Sequence, residues 1–541
     1  MNRQRVGLVS AVLLIAFILI SSQLAGEEEP DLAVIGGDAV GAIGTLREDV
    51  VSAGASPPRR RTNRTSGKTT KSEFGKGFAL ALAEQDHLFP PHFGRWSSEC
   101  DACENNCIHN VPEDERLQRE DWKRPLKEWA ASELDQLAAD NLAVWNSTGI
   151  TFDHHVSMVC CSYRTRMHYN PSGFWVHISG HNVTLLRLMV DGYDRYKRSL
   201  KLLRKVVANG PPFTKALVAY FSMTDTPCNP MLPYMTFFLR RGVKGILVPD
   251  DTFENNKGGW EAAWESLRAK AKAVPYSQRN HTLFFRGSPT HPYRSTLENE
   301  AKKCCPEFTN ISLAVMERFK HLSVPLEEHV NYRFLAAVRG RTASNRDKYL
   351  SLLSSTIVRM EEEEPWFQFY HALWKPWVNY VPMNASNVSC LVKLIQNQSN
   401  LPFFEKIAAR GAEVGDFLSE EVVENYMRSV LNRYANLQRY TVDPDPVEFT
   451  RRFYYFVKKR YANAQVMPDD RNPVKFIFYK WISRRIRQML ACREEAALAA
   501  AASAAPSFSS TFINGSGAVG GSGSSFLTPK PTPPAKIKCW Y

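Results

Sequence analysis

After Cys100, Cys103 and Cys107 the chain has no second Cys or His pair at ligand spacing, so nothing completes a four-coordinate zinc knuckle. Disulfide pairing is the reading the trio favours. FDHHV, with His154 and His155, likewise lacks a third spaced ligand. No internal repeat of solenoid type is found, which excludes an array architecture. No position near Ala25 has small residues at both −1 and −3, the pattern a secretory cleavage site requires. The last residues, KIKCWY, do not form a KDEL-like retrieval signal.

What is present bounds the rest. At 541 residues, length predicts two globular lobes with extensions, and 44% hydrophobic with 11% aromatic residues supplies sizeable cores. A net charge of +13 favours an anionic partner: nucleic acid, a membrane surface or a phosphorylated small molecule. MNRQR precedes the apolar run Val6 to Ala25, and acidic EEEPD follows it. Twenty helical residues at about 1.5 Å each approach the ~30 Å hydrocarbon core. The flanking charges place the short N-terminus in the cytosol and the remainder in a lumen. A signal-anchor is expected, with a cleaved signal peptide as the rival. Asn63, Asn146, Asn182, Asn280, Asn310, Asn384, Asn387, Asn397 and Asn514 each open an N-x-S/T sequon. Together with eleven cysteines they fit an oxidising secretory compartment, which argues against nucleic acid as the partner.

The expected organisation is a cytosolic tail at 1–5, an anchor at 6–25, and a flexible stem at 26–95 rich in Gly, Ala, Ser, Pro and basic residues. A globular region then covers 96–490, followed by a low-complexity tail at 491–541. Within the globular region ALVAYFS (216–222), GILVP (245–249), TLFFRG (282–287), FLAAVRG (334–340), STIVRM (355–360) and WVNYVPM (377–383) read as strands. WEAAWESLRAKAKAV, SNRDKYLSLL and NVSCLVKLI between them have helical spacing. This alternation predicts an α/β fold with mostly parallel sheets, in which ligands bind where strand C-termini open into loops.

Two such loops resemble each other. FFRGSPTHPYRSTL (284–297) and VRGRTASNRDKYL (338–350) both read Arg-Gly, small polar residues, then a further arginine. Guanidinium forks bind phosphate bidentately, and glycine permits close backbone approach or a positive φ. Ser344 is placed to cap the following helix and bring backbone N–H groups to an anion. Arg286, Ser288 and Arg294 from one loop, with Arg341, Ser344 and Arg346 from the other, are therefore candidates to clasp a nucleotide diphosphate. The plainer alternative is Arg-Gly in ordinary turns.

These segments, with STIVRMEEEEPWFQFYHALWKPWVNYVPM and IAARGAEVGDFLSEEVVENYMRSVLNRYANL after them, occur in an order that resembles the Rumi-like protein O-glucosyltransferases, glycosyltransferase family 90. The resemblance covers roughly 210–440. It implies a GT-B-type fold, two Rossmann-like lobes around a cleft, with the donor-binding lobe at about 230–440. It also implies an inverting transfer of glucose or xylose from a UDP-sugar to a protein or glycan hydroxyl, without an obligatory metal or other cofactor. By motif, Ser288 and Arg294 match donor-binding positions, and Arg341, Thr342, Ala343, Ser344, Asn345 and Arg346 match the segment around the UDP-sugar. LVAYFSMTDTPCNP places Asp225 at the base, where a turn-capping Asp is the bland reading. The chain departs from the family at Gln368 (commonly Glu), Asn379 (His) and Asn345 (an aromatic), and a cysteine pair of animal members is represented by Val330 and Ser354.

Other readings stay open. Asp250-Asp251 and Asp443-x-Asp445 resemble metal-holding aspartates. The acidic run Glu361 to Glu364 reads as a solvated loop. RRFYYFVKKRY (451–461) and KFIFYKWISRRIRQML (475–490) read as packed helix with a basic outer face, with nucleic-acid binding as the rival. A pseudoenzyme that binds a UDP-sugar or glycan without turnover is the second functional class. The expected location is the Golgi or endoplasmic reticulum membrane, as a single-pass type II protein.

Overall fold

A computed structural model describes residues 124–164, 173–189, 193–224, 229–254, 258–313, 323–360, 365–385, 388–463, 486–495 and 497–498. The expected cytosolic tail, anchor and stem lie outside the described residues. So do the Cys100 trio, Asp225, Asn387, the Glu361–Glu364 run and most of the expected tail.

Two five-stranded sheets organise the described chain. Helices α1 (Ala130–Ala143) and α2 (Phe152–Arg164) precede the hairpin β1 (Gly173–Gly180) and β2 (Asn182–Met189). Next come α3 (Tyr193–Asn209), β3 (Phe213–Ser222) and three two-residue strands, β4 (Met235–Thr236), β5 (Leu239–Arg240) and β6 (Ile246–Leu247). The first sheet has the order β2-β1-β3-β4-β6. Only β3, β4 and β6 run parallel; β1 is antiparallel to both β2 and β3. This sheet is mixed, where the sequence reading expected mostly parallel pairing. Successive side chains of β1 alternate between cores: Phe174, Val176 and Ile178 join the main one, Trp175 a smaller one that includes Phe449.

The second sheet is parallel throughout. Helix α4 (Gly259–Ala273) leads into β7 (Asn280–Gly287), α5 (Pro292–Cys304), β8 (Thr309–Leu313), β9 (Tyr332–Ala337), α6 (Asp347–Ser351) and β10 (Thr356–Met360). β11 (Trp366–Phe367) pairs with β5, and β12 (Val381–Met383) closes the sheet in the order β12-β10-β9-β7-β8. Numbered within the sheet, that is the 2-1-3-4-5 order of a doubly wound fold. Leu283 and Phe285 of β7 face one core while Phe284 faces the other, so both faces are covered.

Helices α7 (Val388–Gln396), α8 (Leu401–Phe417), α9 (Glu420–Leu437) and α10 (Pro446–Asn463) complete the order. Ser419 starts α9 by accepting the Val422 N–H, with Glu420 and Glu421 at the positive end of the helix dipole. Val423, Tyr426, Met427, Val430, Leu431 and Tyr434 form its buried stripe. A last helical stretch, 486–495, carries buried Met489 and Cys492 and extends past the expected boundary at 490. No described helix is long and apolar enough to cross a membrane.

Candidate active site at the sheet switch point

In the parallel sheet the chain leaves β7 towards β8 on one side, and then returns to build β9 on the other. The reversal opens a crevice beyond the C-terminal ends of β7 and β9, the usual ligand position in such sheets. Both Arg-Gly segments sit there, one after each strand.

The second arginine of the first loop joins the two. Arg294, in the first turn of α5, donates from Nε to the Arg339 carbonyl (2.8 Å), from Nη1 to that of Ser288 (2.9 Å) and from Nη2 to that of Val338 (3.0 Å). Its guanidinium also lies 5.5 Å from the Phe285 ring centre, and that of Arg346 lies 4.9 Å from the same ring. Arg346 donates to the carbonyl of Arg286, tying the second loop back to the first strand. The glycines make room for this. A Cβ on Gly287 would stand 2.8 Å from the Phe285 ring and 3.4 Å from Arg294 Nη1. One on Gly340 would meet Thr290 Oγ1 at 3.2 Å and Arg294 Nη2 at 3.5 Å. Close approach, rather than a left-handed backbone, is what the Arg-Gly pairs supply.

Burial holds the guanidiniums of Arg294 and Arg346 below their ordinary range, Arg294 to about 10, with repulsion from Arg346 adding to it and Asp347 opposing. Two neighbouring cations without a salt-bridged carboxylate form an electropositive floor for an anion. Ser288 and half-buried Asn345 line the same loops, with Thr342 and Ser344 buried and Ala343 packed against the main core. Two expected members are not gathered in. Arg286 turns to the β8 edge, where its fork binds the Asn310 carbonyl (2.7 Å) and side-chain oxygen (2.6 Å). Arg341 is exposed. Ser344 does not cap α6: the helix begins at Asp347, and Ser344 contributes only a carbonyl to the Asp347 N–H (3.1 Å). Arg346, two residues further on, takes the N-cap position instead.

A set of mostly buried polar groups that the sequence reading did not assemble links α6 of the parallel sheet to the loop beyond β6 of the mixed sheet. Lys348, fully buried, donates to Asp250 Oδ2 at 2.7 Å, so an ion pair joins α6 to the loop beyond β6. Gln368 Nε2 donates to Asp250 Oδ2 (3.0 Å) and to Asn345 Oδ1 (3.2 Å), and its oxygen accepts from Tyr370 (2.6 Å). His371 Nδ1 accepts the Gln368 N–H at 3.2 Å, which leaves its proton on Nε2, 3.5 Å from Asp347 Oδ2. Asp251 pairs with Arg195 and Arg198. The two adjacent aspartates are thus divided between separate cations instead of converging on one ion. Asn379 is buried and spends its amide on the Lys375 N–H and the Leu373 carbonyl, both at 2.8 Å, so it braces a turn. Asp250, Asp251, Asn345, Gln368 and Asn379 drew notice in the sequence singly; nothing in it marks Lys348 or His371 as buried.

Comparison with known proteins bears on what kind of domain this is. Residues 218–450 match the family model described as Glycosyl transferase family 90. This segment is similar to family 90 glycosyltransferases. The O-glucosyltransferase rumi of Drosophila melanogaster is 30% identical over 256 residues, covering 44% of this chain and 57% of that protein. The rumi homolog of Anopheles gambiae is 32% identical over 252 residues, covering 43% and 58%. Protein O-glucosyltransferase 1 of Homo sapiens is 27% identical over 238 residues, covering 40% and 59%. The chain therefore spans under three fifths of the length of these relatives. The matched segment runs from β3 to the start of α10, and so includes the switch point, both Arg-Gly loops and the Lys348–Asp250 bridge.

Proposed function

We propose that the chain is a lumenal, inverting glycosyltransferase that moves a sugar from a UDP-sugar to a hydroxyl of a protein or glycan acceptor. Glucose is the first donor to test, because the relatives are named O-glucosyltransferases, and xylose the second. The observation that carries the reading is the guanidinium pair Arg294 and Arg346 at the switch point of a parallel sheet, inside the segment similar to family 90. In a GT-B-type arrangement the mixed sheet forms the acceptor lobe and the parallel sheet the donor lobe.

In this mechanism Arg346 and the free N–H groups of Arg294 hold the diphosphate. Asp225, in the sequence that follows β3, takes the proton from the acceptor hydroxyl as its oxygen attacks the anomeric carbon. The bond from that carbon to UDP breaks, and charge growing on the departing diphosphate is met by guanidiniums already in place. No divalent ion is required by this scheme. Gln368 and Asn379, which differ from the family pattern, brace buried structure and leave the diphosphate floor intact, which favours turnover over the pseudoenzyme alternative. The site lies in the Golgi or endoplasmic reticulum lumen, with 6–25 as the anchor.

A UDP-release assay with UDP-glucose and UDP-xylose in EDTA, across protein and glycan acceptors, tests this reading. Release above the donor-only rate is expected with one donor, and loss of that release in Asp225→Asn with UDP binding retained. Release in Asp225→Asn equal to wild type overturns the base assignment.

A further inference from the structure

Asn345 stands between the buried Ser344 and the diphosphate-facing Arg346, and its side chain has a fixed orientation. Gln368 Nε2 donates both to Asp250 Oδ2 at 3.0 Å and to Asn345 Oδ1 at 3.2 Å. A carboxylate only accepts, and Asp250 Oδ2 is the oxygen that faces the Lys348 ammonium at 2.7 Å. This settles which end of Gln368 is nitrogen, and Tyr370 donating to its oxygen at 2.6 Å agrees. Asn345 must then turn its oxygen towards Gln368. Its backbone carbonyl is held as well, by Lys348 Nζ at 3.3 Å. The amide nitrogen of Asn345 faces the other way from a half-buried side chain, in the loop that also carries Arg346.

Given the UDP-sugar reading above, on which this rests, we infer that Asn345 is a specificity-determining residue that donates a hydrogen bond to a hydroxyl of the donor's sugar, with Gln368 as the positioning residue that orients it. The chemistry follows from the donor. An amide N–H2 held in one orientation is a pre-organised donor for a sugar hydroxyl oxygen, and it pays little entropy on binding. A buried acceptor-only or apolar group at Gln368 removes the restraint, and the amide then turns freely. Phosphate recognition belongs to the arginines and needs neither residue. Asn345 should therefore separate UDP-sugar from UDP, which the arginines do not.

The test is titration calorimetry on the full chain with UDP, UDP-glucose and UDP-xylose. Asn345→Ala should weaken the better UDP-sugar by about five- to tenfold while UDP affinity stays within about twofold, as expected for one hydrogen bond. Gln368→Leu should give a similar loss in an otherwise wild-type chain, and almost none when added to Asn345→Ala. Asn345 is half-buried on a loop, so its variant alone decides the point even where Gln368→Leu unfolds. An unchanged ratio of UDP-sugar to UDP affinity in Asn345→Ala overturns the inference and leaves the transferase reading standing. Wild-type protein that binds neither UDP nor a UDP-sugar overturns both.

Discussion

Arg294 shows how a residue chosen for one reason serves two. Three of its N–H groups hold three backbone carbonyls from two loops, so its loss dissolves the junction as well as part of the anion floor. Arg294→Ala should lower stability by about 2–4 kcal/mol, since buried carbonyls lose charged donors. Arg294→Lys should recover little of this, because an ammonium cannot reproduce the planar fork. Urea unfolding of both variants checks it, and a lysine variant as stable as wild type would refute the staple. The repeated Arg-Gly pattern was legible because each copy lies within one short contiguous segment. The division of labour was not. Arg286 and Arg294 look equivalent in sequence, yet Arg286, at the end of strand β7, turns to the β8 edge and Arg294, in the first turn of α5, reaches across the crevice. Lys348 was illegible for a related reason: its neutralising partner Asp250 is 98 residues away, and a lysine in a short helix ordinarily reads as solvated.

Among the elements, those with continuous apolar runs were the easiest to read. All six strands expected from the sequence are present, though β6 shrinks to Ile246–Leu247 and β12 to Val381–Met383. The lost part of the last strand is the turn braced by Asn379, where Trp377 takes a φ of 60°. The β1–β2 hairpin and the edge strand β8 were missed. TNISL is short and half polar, so alternation is too weak over five residues to announce a strand. Helix α8 makes a sharper point about packing. A Cβ on Gly415 would lie 2.9 Å from the Ser351 carbonyl carbon and 3.0 Å from the Leu352 nitrogen. Gly415→Ala should therefore destabilise by about 1–3 kcal/mol despite alanine's better helix propensity of about 1 kcal/mol. Thermal unfolding decides it; a stabilised variant would show that α8 stands off from α6.

At the scale of the whole molecule, four histidines are buried among the described residues, His155, His177, His329 and His371, and burial holds each below the usual imidazole range. Burial lowers His371 and His329 to about 4 and His155 to about 3. An unfolded histidine binds a proton below about pH 6.5, whereas these three folded ones do not until pH 3–4. Their stabilisation is therefore complete above pH 6.5 and declines as pH falls through that window, each by on the order of 3 kcal/mol. Urea midpoints measured at pH 7 and pH 5 should fall with pH, and equal midpoints would contradict neutral burial. Asn146, Asn182, Asn280 and Asn397 are exposed, while Asn310 spends its amide on Arg286 and Tyr332. In a lumen the first four should carry glycans and Asn310 should not, as glycopeptide mass spectrometry would show. The central claim is that the two Arg-Gly loops meet to hold a nucleotide diphosphate. Calorimetric titration of UDP into wild type and Arg346→Ala tests it most directly. The account predicts that UDP binds the wild type in EDTA, and that the variant binds it about ten- to hundredfold more weakly, as for a lost charge-assisted contact. Equal affinity in the two proteins would remove Arg346 from the site and contradict the account.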